Sequence, residues 1–145
     1  MIGLLQRVNR AEVVVDGRCI AAIGPGLLVL IGVQRGDDKV RGDRLLERLL
    51  GYRVFEDQAG KMNLSLLDTG GGLLLVPQFT LAADTRKGRR PGFSNAAAPE
   101  DGARLFAYLL EQAGRRIADL QSGEFGADMQ VGLVNDGPVT FWLET

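Results

Sequence analysis

The chain reads as a single α+β domain: a curled, mainly antiparallel sheet forming a barrel-like core, flanked by two helices. Three observations predict it. Short apolar runs of strand character outnumber helical stretches, only two segments carry apolar residues at helical spacing, and strand segments separate those two instead of alternating regularly with them. At 145 residues there is length for one core and none for a linker to a second, so residues 1–145 are expected to form one domain.

Residues 2–8 are an apolar run, and residues 11–15 a β-branched one ending in Asp16-Gly17, a hairpin signal. Residues 19–23 and 27–33 follow as strands parted by Gly24-Pro25-Gly26, so four short strands are expected before the first helix. From Asp37 the period changes. Val40, Leu45, Leu46, Leu49 and Leu50 share one helical face, Asp37 and Asp38 lie at the end where the helix dipole favours negative charge, and Gly51 ends the pattern. Residues 53–56 read as a short strand and residues 57–60 as a turn, with Lys61-Met62-Asn63 as hairpin chemistry; residues 73–76, after Gly70-Gly71-Gly72, are a fully apolar strand.

Residues 82–98 hold basic residues, glycines and Pro91 and read as a long loop, a kind of segment that tends to be functional in compact domains. Pro99, Glu100 and Asp101 open the second helix, whose Leu105, Phe106, Leu109, Leu110 and Ala113 form an apolar face before Gly114 stops it. Residues 129–134 and 139–143 are the closing strands.

Composition narrows the chemistry. With 46% hydrophobic and 24% charged residues the chain has ordinary globular usage. A net charge of −1 excludes a generally basic nucleic-acid coat, so any RNA contact must be local. There is no histidine, which removes the usual general base at neutral pH and every Ser-His or Cys-His nucleophile. The longest apolar stretch, residues 26–33, falls far short of a bilayer span and the start lacks a basic leader region, so no membrane association and a cytoplasmic location are expected. Lone Cys19 excludes an intrachain disulfide and is expected to be a buried small hydrophobe. Walker, dinucleotide and zinc signatures are missing, and no cofactor or metal is expected.

Four features invite a functional reading beside a structural one. Gln78 and Thr80 follow a buried strand where a simple core strand needs neither; they are also what an edge strand turns outward. Gly137-Pro138 lies between two apolar runs, where a tight turn explains it, since proline costs a ladder hydrogen bond. Arg86-Lys87-Gly88-Arg89-Arg90 places four cations in five residues, enough for a few phosphates or simply a solvated face. Phe141 and Trp142 fit core or interface better than a base-stacking platform.

Taken together and in order, Gly60-Lys61-Met62-Asn63, Gln78-Phe79-Thr80-Leu81, Phe125-Gly126-Ala127-Asp128-Met129 and Asn135-Asp136-Gly137-Pro138-Val139-Thr140 resemble the D-aminoacyl-tRNA deacylases over essentially the whole chain. The resemblance implies a homodimer with active sites at the subunit interface, where residues 78–81 of one protomer meet Gly137-Pro138 of the other. It implies that Gln78, Phe79 and Thr80 serve hydrolysis and that a cis Gly137-Pro138 bond reads chirality by its backbone, rejecting L side chains and admitting glycine mischarged on alanine tRNA. It further implies catalysis assisted by the 2′-hydroxyl of the terminal adenosine, consistent with a site that has no imidazole. Lys87, Arg89, Arg90 and Met129 are the residues expected to contact tRNA. One departure stands out: the family usually has serine where this chain has Pro77.

Overall fold

A computed structural model describes residues 1–145. The main sheet is built around strand β1 (Ile2–Val15). Strands β2 (Arg18–Ile23) and β3 (Gly26–Gly32) pair antiparallel with its C-terminal and N-terminal halves along one edge, and β8 (Gln130–Glu144) pairs antiparallel along the other. Beyond β3 the pairing turns parallel, first with β6 (Gly72–Pro77) and then with β7 (Leu120–Ser122). Strands β4 (Phe55–Glu56) and β5 (Met62–Leu64) form a separate small hairpin.

Helices α1 (Lys39–Gly51) and α3 (Pro99–Gly114) flank the sheet as expected, α1 capped by the Asp38 side chain accepting from the Arg41 N–H at 2.9 Å. A third helix, the four-residue α2 (Leu66–Thr69), adds to the expected two. Ser65 and Asp68 close it in a reciprocal capping box, a device too short to leave a periodic signal.

The sheet is buried on both faces at its centre. Leu27, Val29, Ile31, Leu73 and Leu75 point to the layer formed by Leu45, Leu49, Leu105 and Leu109 of the helices. Leu28, Leu74 and Val76 point the other way, into a smaller core with Val8, Val13 and Ile23 that the curl of the sheet encloses. Two-sided burial is why β3 and β6 read as unbroken apolar runs.

Several boundaries differ from expectation. The predicted breaks at residues 9–10 and at Gly137-Pro138 do not end strands: β1 and β8 are continuous, and their ladder absorbs the irregularities as register shifts. Only Phe55–Glu56 of the expected 53–56 strand pairs. Val40 is 73% exposed rather than on the buried face, and Cys19 is exposed, on a strand whose first three residues face solvent.

β3 and β6 start in contact, Gly26 opposite Gly72, and a Cβ on Gly26 would land on the Gly72 carbonyl oxygen. Gly26→Ala is therefore expected to cost about 3 kcal/mol or more, because backbone cannot yield as a flexible side chain does. Denaturant unfolding checks this, and a loss under about 1 kcal/mol contradicts it.

Candidate active site

Strand β6 is an inner strand, with β3 on one side and β7 on the other, so Gln78 and Thr80 are not edge-strand residues. The chain leaves the sheet after Pro77 and enters a 3₁₀ turn, Phe79–Ala82. The Gln78 N–H donates to the Ile31 carbonyl at 2.7 Å and the Leu81 N–H to the Gln78 carbonyl at 3.2 Å. The amides of Phe79 and Thr80 lie between these anchors, ahead of the turn's own ladder, where N–H groups have no intrahelical acceptor. Gln78 Nε2 donates to Thr80 Oγ1 at 2.5 Å, and Phe79 and Thr80 are both exposed.

Gly32 makes this turn possible, since a Cβ there would lie 2.9 Å from Leu81 Cβ and 3.3 Å from the Gln78 oxygen. Pro77 fits for a related reason. Gln78 already bonds to β3, so position 77 faces the β7 side, and β7 ends at Ser122 opposite Leu75. The last ladder bond on that side runs from the Gly123 N–H to the Leu75 carbonyl at 2.8 Å, so the N–H that proline lacks falls at the end of the ladder.

Beside the turn opens an apolar cleft of about 460 Å³. Pro77, Gln78 and Phe79 line one part, and Phe106, Phe125 and Met129 another. Met129 is placed by its sulfur, which accepts from the Glu124 N–H at 3.3 Å. The structure thus groups Met129 with Phe125 in this cleft and not with the basic loop residues.

Gly137-Pro138 occupies a bulge. Gln6 pairs with Thr140 and Val8 with Asn135, so residues 136–139 stand opposite Arg7 alone. The peptide bond between Gly137 and Pro138 is cis, and both residues are exposed. Two side chains hold the bulge. Asn135 Oδ1 accepts from the Val139 N–H at 2.7 Å while its Nδ2 donates to Thr140 Oγ1 at 2.8 Å. Arg7, only 7% exposed, donates through Nε to the Asp136 carbonyl at 3.1 Å and through Nη1 to the Val54 carbonyl at 2.6 Å. The Asp136 carboxylate, 3.2 Å from Nε, balances its charge. Glycine is required at 137: its φ is +134°, and a Cβ would lie 2.7 Å from Val139 Cγ2 and 3.1 Å from Arg7 Nη2.

In a single chain the two motif segments stay apart. Gln78 lies against Gly32, which pairs with Ile2, while the bulge stands opposite Arg7. Five residues of extended β1 separate these levels by about 17 Å along the strand.

The loop after the turn is less open than its sequence implies. Asp84 and Gly92 exchange backbone hydrogen bonds of 2.7 and 3.0 Å, and the Asp84 carboxylate grips the Arg86 guanidinium by two bonds of 2.9 and 2.7 Å. Arg86 is thereby neutralised. Lys87, Arg89 and Arg90 remain exposed without an acidic partner. Phe93, directly after this clip, packs on Phe79 with ring centroids 5.2 Å apart.

Sequence reasoning passes over Arg7 and Asp84 as site-building residues and reaches Asn135 only as part of its motif. An arginine inside an apolar strand run was the available signal for Arg7, because a buried cation must be paired.

An exposed backbone bulge, a 3₁₀ turn with forward amides and an apolar cleft together offer fixed backbone groups beside room for a small ligand, the makings of a ligand-binding site. The comparisons make this particular. The profile of the family described as D-Tyr-tRNA(Tyr) deacylase matches residues 4–144, and the chain belongs to that family. It is 65% identical over 144 residues to the D-aminoacyl-tRNA deacylase of Thioalkalivibrio sulfidiphilus (strain HL-EbGR7), covering 99% of this chain and 97% of that one. It is 64% identical over 144 residues to the D-aminoacyl-tRNA deacylase of Pseudomonas putida (strain GB-1), covering 99% of each. Among solved structures it is similar to one named c-Myc DNA Unwinding Element Binding Protein, with 40% identity, a TM-score of 0.96 and coverage of 100% of this chain and 99% of that one. The fold also matches a probable eukaryotic D-amino acid tRNA deacylase at a TM-score of 0.84 and 18% identity, covering 99% of this chain and 98% of that one.

The Arg86 side chain first, and the Arg86 N–H second, hold the Asp84 carboxyl well below the usual carboxylate range. Because its folded value is lowered, the clip's contribution is fully present above the ordinary aspartate range near 4 and is lost as pH falls through the lowered value. Amide exchange at Gly92 should therefore stay protected at pH 4 to 5 and rise in Asp84→Asn; equal protection in that variant contradicts the clip.

Proposed function

We propose that this chain hydrolyses the ester of D-aminoacyl-tRNA, releasing tRNA and a D-amino acid, and that it also clears glycine mischarged on alanine tRNA. The observation that carries the reading is the braced, exposed bulge at Gly137-Pro138. Rigid backbone can recognise an α-ammonium by its carbonyl oxygens and exclude an L side chain by shape, while glycine has nothing to exclude.

The site is completed by a second copy of the chain. About 17 Å along β1 divides the bulge from residues 78–81 within one protomer, a gap that a small aminoacyl group does not bridge. β8 pairs only with β1, leaving its outer edge free, and it exposes Trp142 and Val134. A free, partly apolar edge of this length favours pairing with another copy.

Catalysis then rests on placement. An aminoacyl ester is already activated, and the amides of Phe79 and Thr80 are positioned to stabilise the oxyanion as water adds to its carbonyl. The Thr80 hydroxyl accepts from Gln78, and with no histidine in the chain it serves as a positioning group rather than a nucleophile. The 2′-hydroxyl of the terminal adenosine assists the attack, and the apolar cleft with Phe125 and Met129 takes the adenine. Lys87, Arg89 and Arg90 meet tRNA phosphates. No protein cofactor or metal enters the scheme, and its setting is cytoplasmic.

Purified protein incubated with D-tyrosyl-tRNA and L-tyrosyl-tRNA should deacylate only the D ester; deacylation of neither contradicts the reading. Gly137→Ala should lower turnover or relax chiral selection at least tenfold while the dimer persists by light scattering.

A further inference from the structure

The four loop cations are not equivalent. Arg86 is withdrawn by Asp84, whereas Lys87 and Arg90 line a cleft of about 410 Å³ together with Asp84, Arg86, Gly92 and Ser94, none of them a hydrophobic residue. Arg89, between them in sequence, does not line it. The loop that forms the cleft is pinned, because Asp84 and Gly92, which both line it, exchange backbone hydrogen bonds. Its position is fixed relative to the candidate active site. Gly92 and Ser94 flank Phe93, whose ring rests on Phe79, and Phe79 lines the apolar cleft on its other side. This ring contact links the two clefts.

Resting on the deacylase reading above, we infer that the polar cleft is a subsite for one phosphodiester of the substrate's single-stranded 3′ end, with Lys87 and Arg90 as its cations and the Ser94 hydroxyl as a further donor. A nucleotide with its base in the apolar cleft would reach these cations by running its 5′ phosphate past the Phe79–Phe93 pair. A stem phosphate is not the fit, since the stem begins several nucleotides further on. The bidentate Asp84–Arg86 pair removes the carboxylate that would otherwise repel the phosphate. The subsite acts as a ruler: holding one phosphate through a loop docked on Phe79 sets the ester against the Phe79 and Thr80 amides. This also accommodates an acidic chain, because the attraction is confined to one small, oriented patch.

The test compares D-tyrosyl-adenosine, a D-tyrosyl trinucleotide carrying the 3′-end phosphates, and D-tyrosyl-tRNA. Wild type should gain about tenfold or more in kcat/KM when the phosphates are added, and K87A/R90A should lose most of that gain. Charge-retaining K87R/R90K should recover it, and Arg89→Ala should keep more of it than either Lys87→Ala or Arg90→Ala. Wild type showing no gain from the added phosphates, or a gain that survives in K87A/R90A, overturns the subsite. If wild type hydrolyses none of the three esters, the deacylase reading falls, and binding of uncharged tRNA decides the subsite by itself. A slope of log K against log salt that shrinks by about 1 to 2 in K87A/R90A supports it, and an unchanged slope overturns it.

Discussion

The length of β1 is the constraint on which the rest of the structure depends. Its fourteen residues carry β2 and β3 on one edge and β8 on the other. Through β3 it fixes where β6 ends and the Gln78 turn begins; through Arg7 it fixes where β8 bulges. The same strand therefore sets both halves of the candidate site and holds them apart. A chain organised in this way presents two incomplete surfaces, which is the physical argument for a second copy.

Each half is assembled from backbone geometry and held by a few polar side chains. Arg7 and Asn135 hold the bulge, Gly32 admits the turn, and Asp84 clips the loop that lies against it. In the proposed mechanism a site without histidine draws its catalytic power from preorganisation, since fixed amides aimed at a developing charge need no reorganisation in the transition state. The local basic cleft extends the same logic to the nucleic acid. As proposed, it orients one phosphate instead of coating the molecule with positive charge, which suits a member of a tRNA deacylase family.

Much of this was legible in the residues. Helices α1 and α3 follow from apolar spacing and their end signals, and β3 and β6 from runs too apolar for any one-sided strand. Where the fold departed, a local rule was overridden by the ladder. Residues 9 and 10 are exposed in mid-strand because β1 is solvated there, and Gly137-Pro138 looks like a turn because a bulge uses the same residue chemistry as a turn. Val40 fell on the helical face by spacing but lies in the first turn, which overhangs the core. The site was legible only through resemblance. Nothing in Gln78 or Thr80 distinguishes an outward strand residue from a turn, and the Arg7 and Asp84 contacts join residues whose proximity only the folded chain reveals.

The shared site is the central claim, and subunit complementation tests it most directly. One chain carries Gln78→Ala with Thr80→Ala, the other Gly137→Val, and each homodimer is expected to be nearly inactive on D-tyrosyl-tRNA. Co-refolding equal amounts makes about half of the dimers mixed, each with one site built from two wild-type halves, so activity should return to about a quarter of the wild-type value. Activity that stays at the level of the separate variants, in a mixture shown by mass spectrometry to contain mixed dimers, contradicts the account.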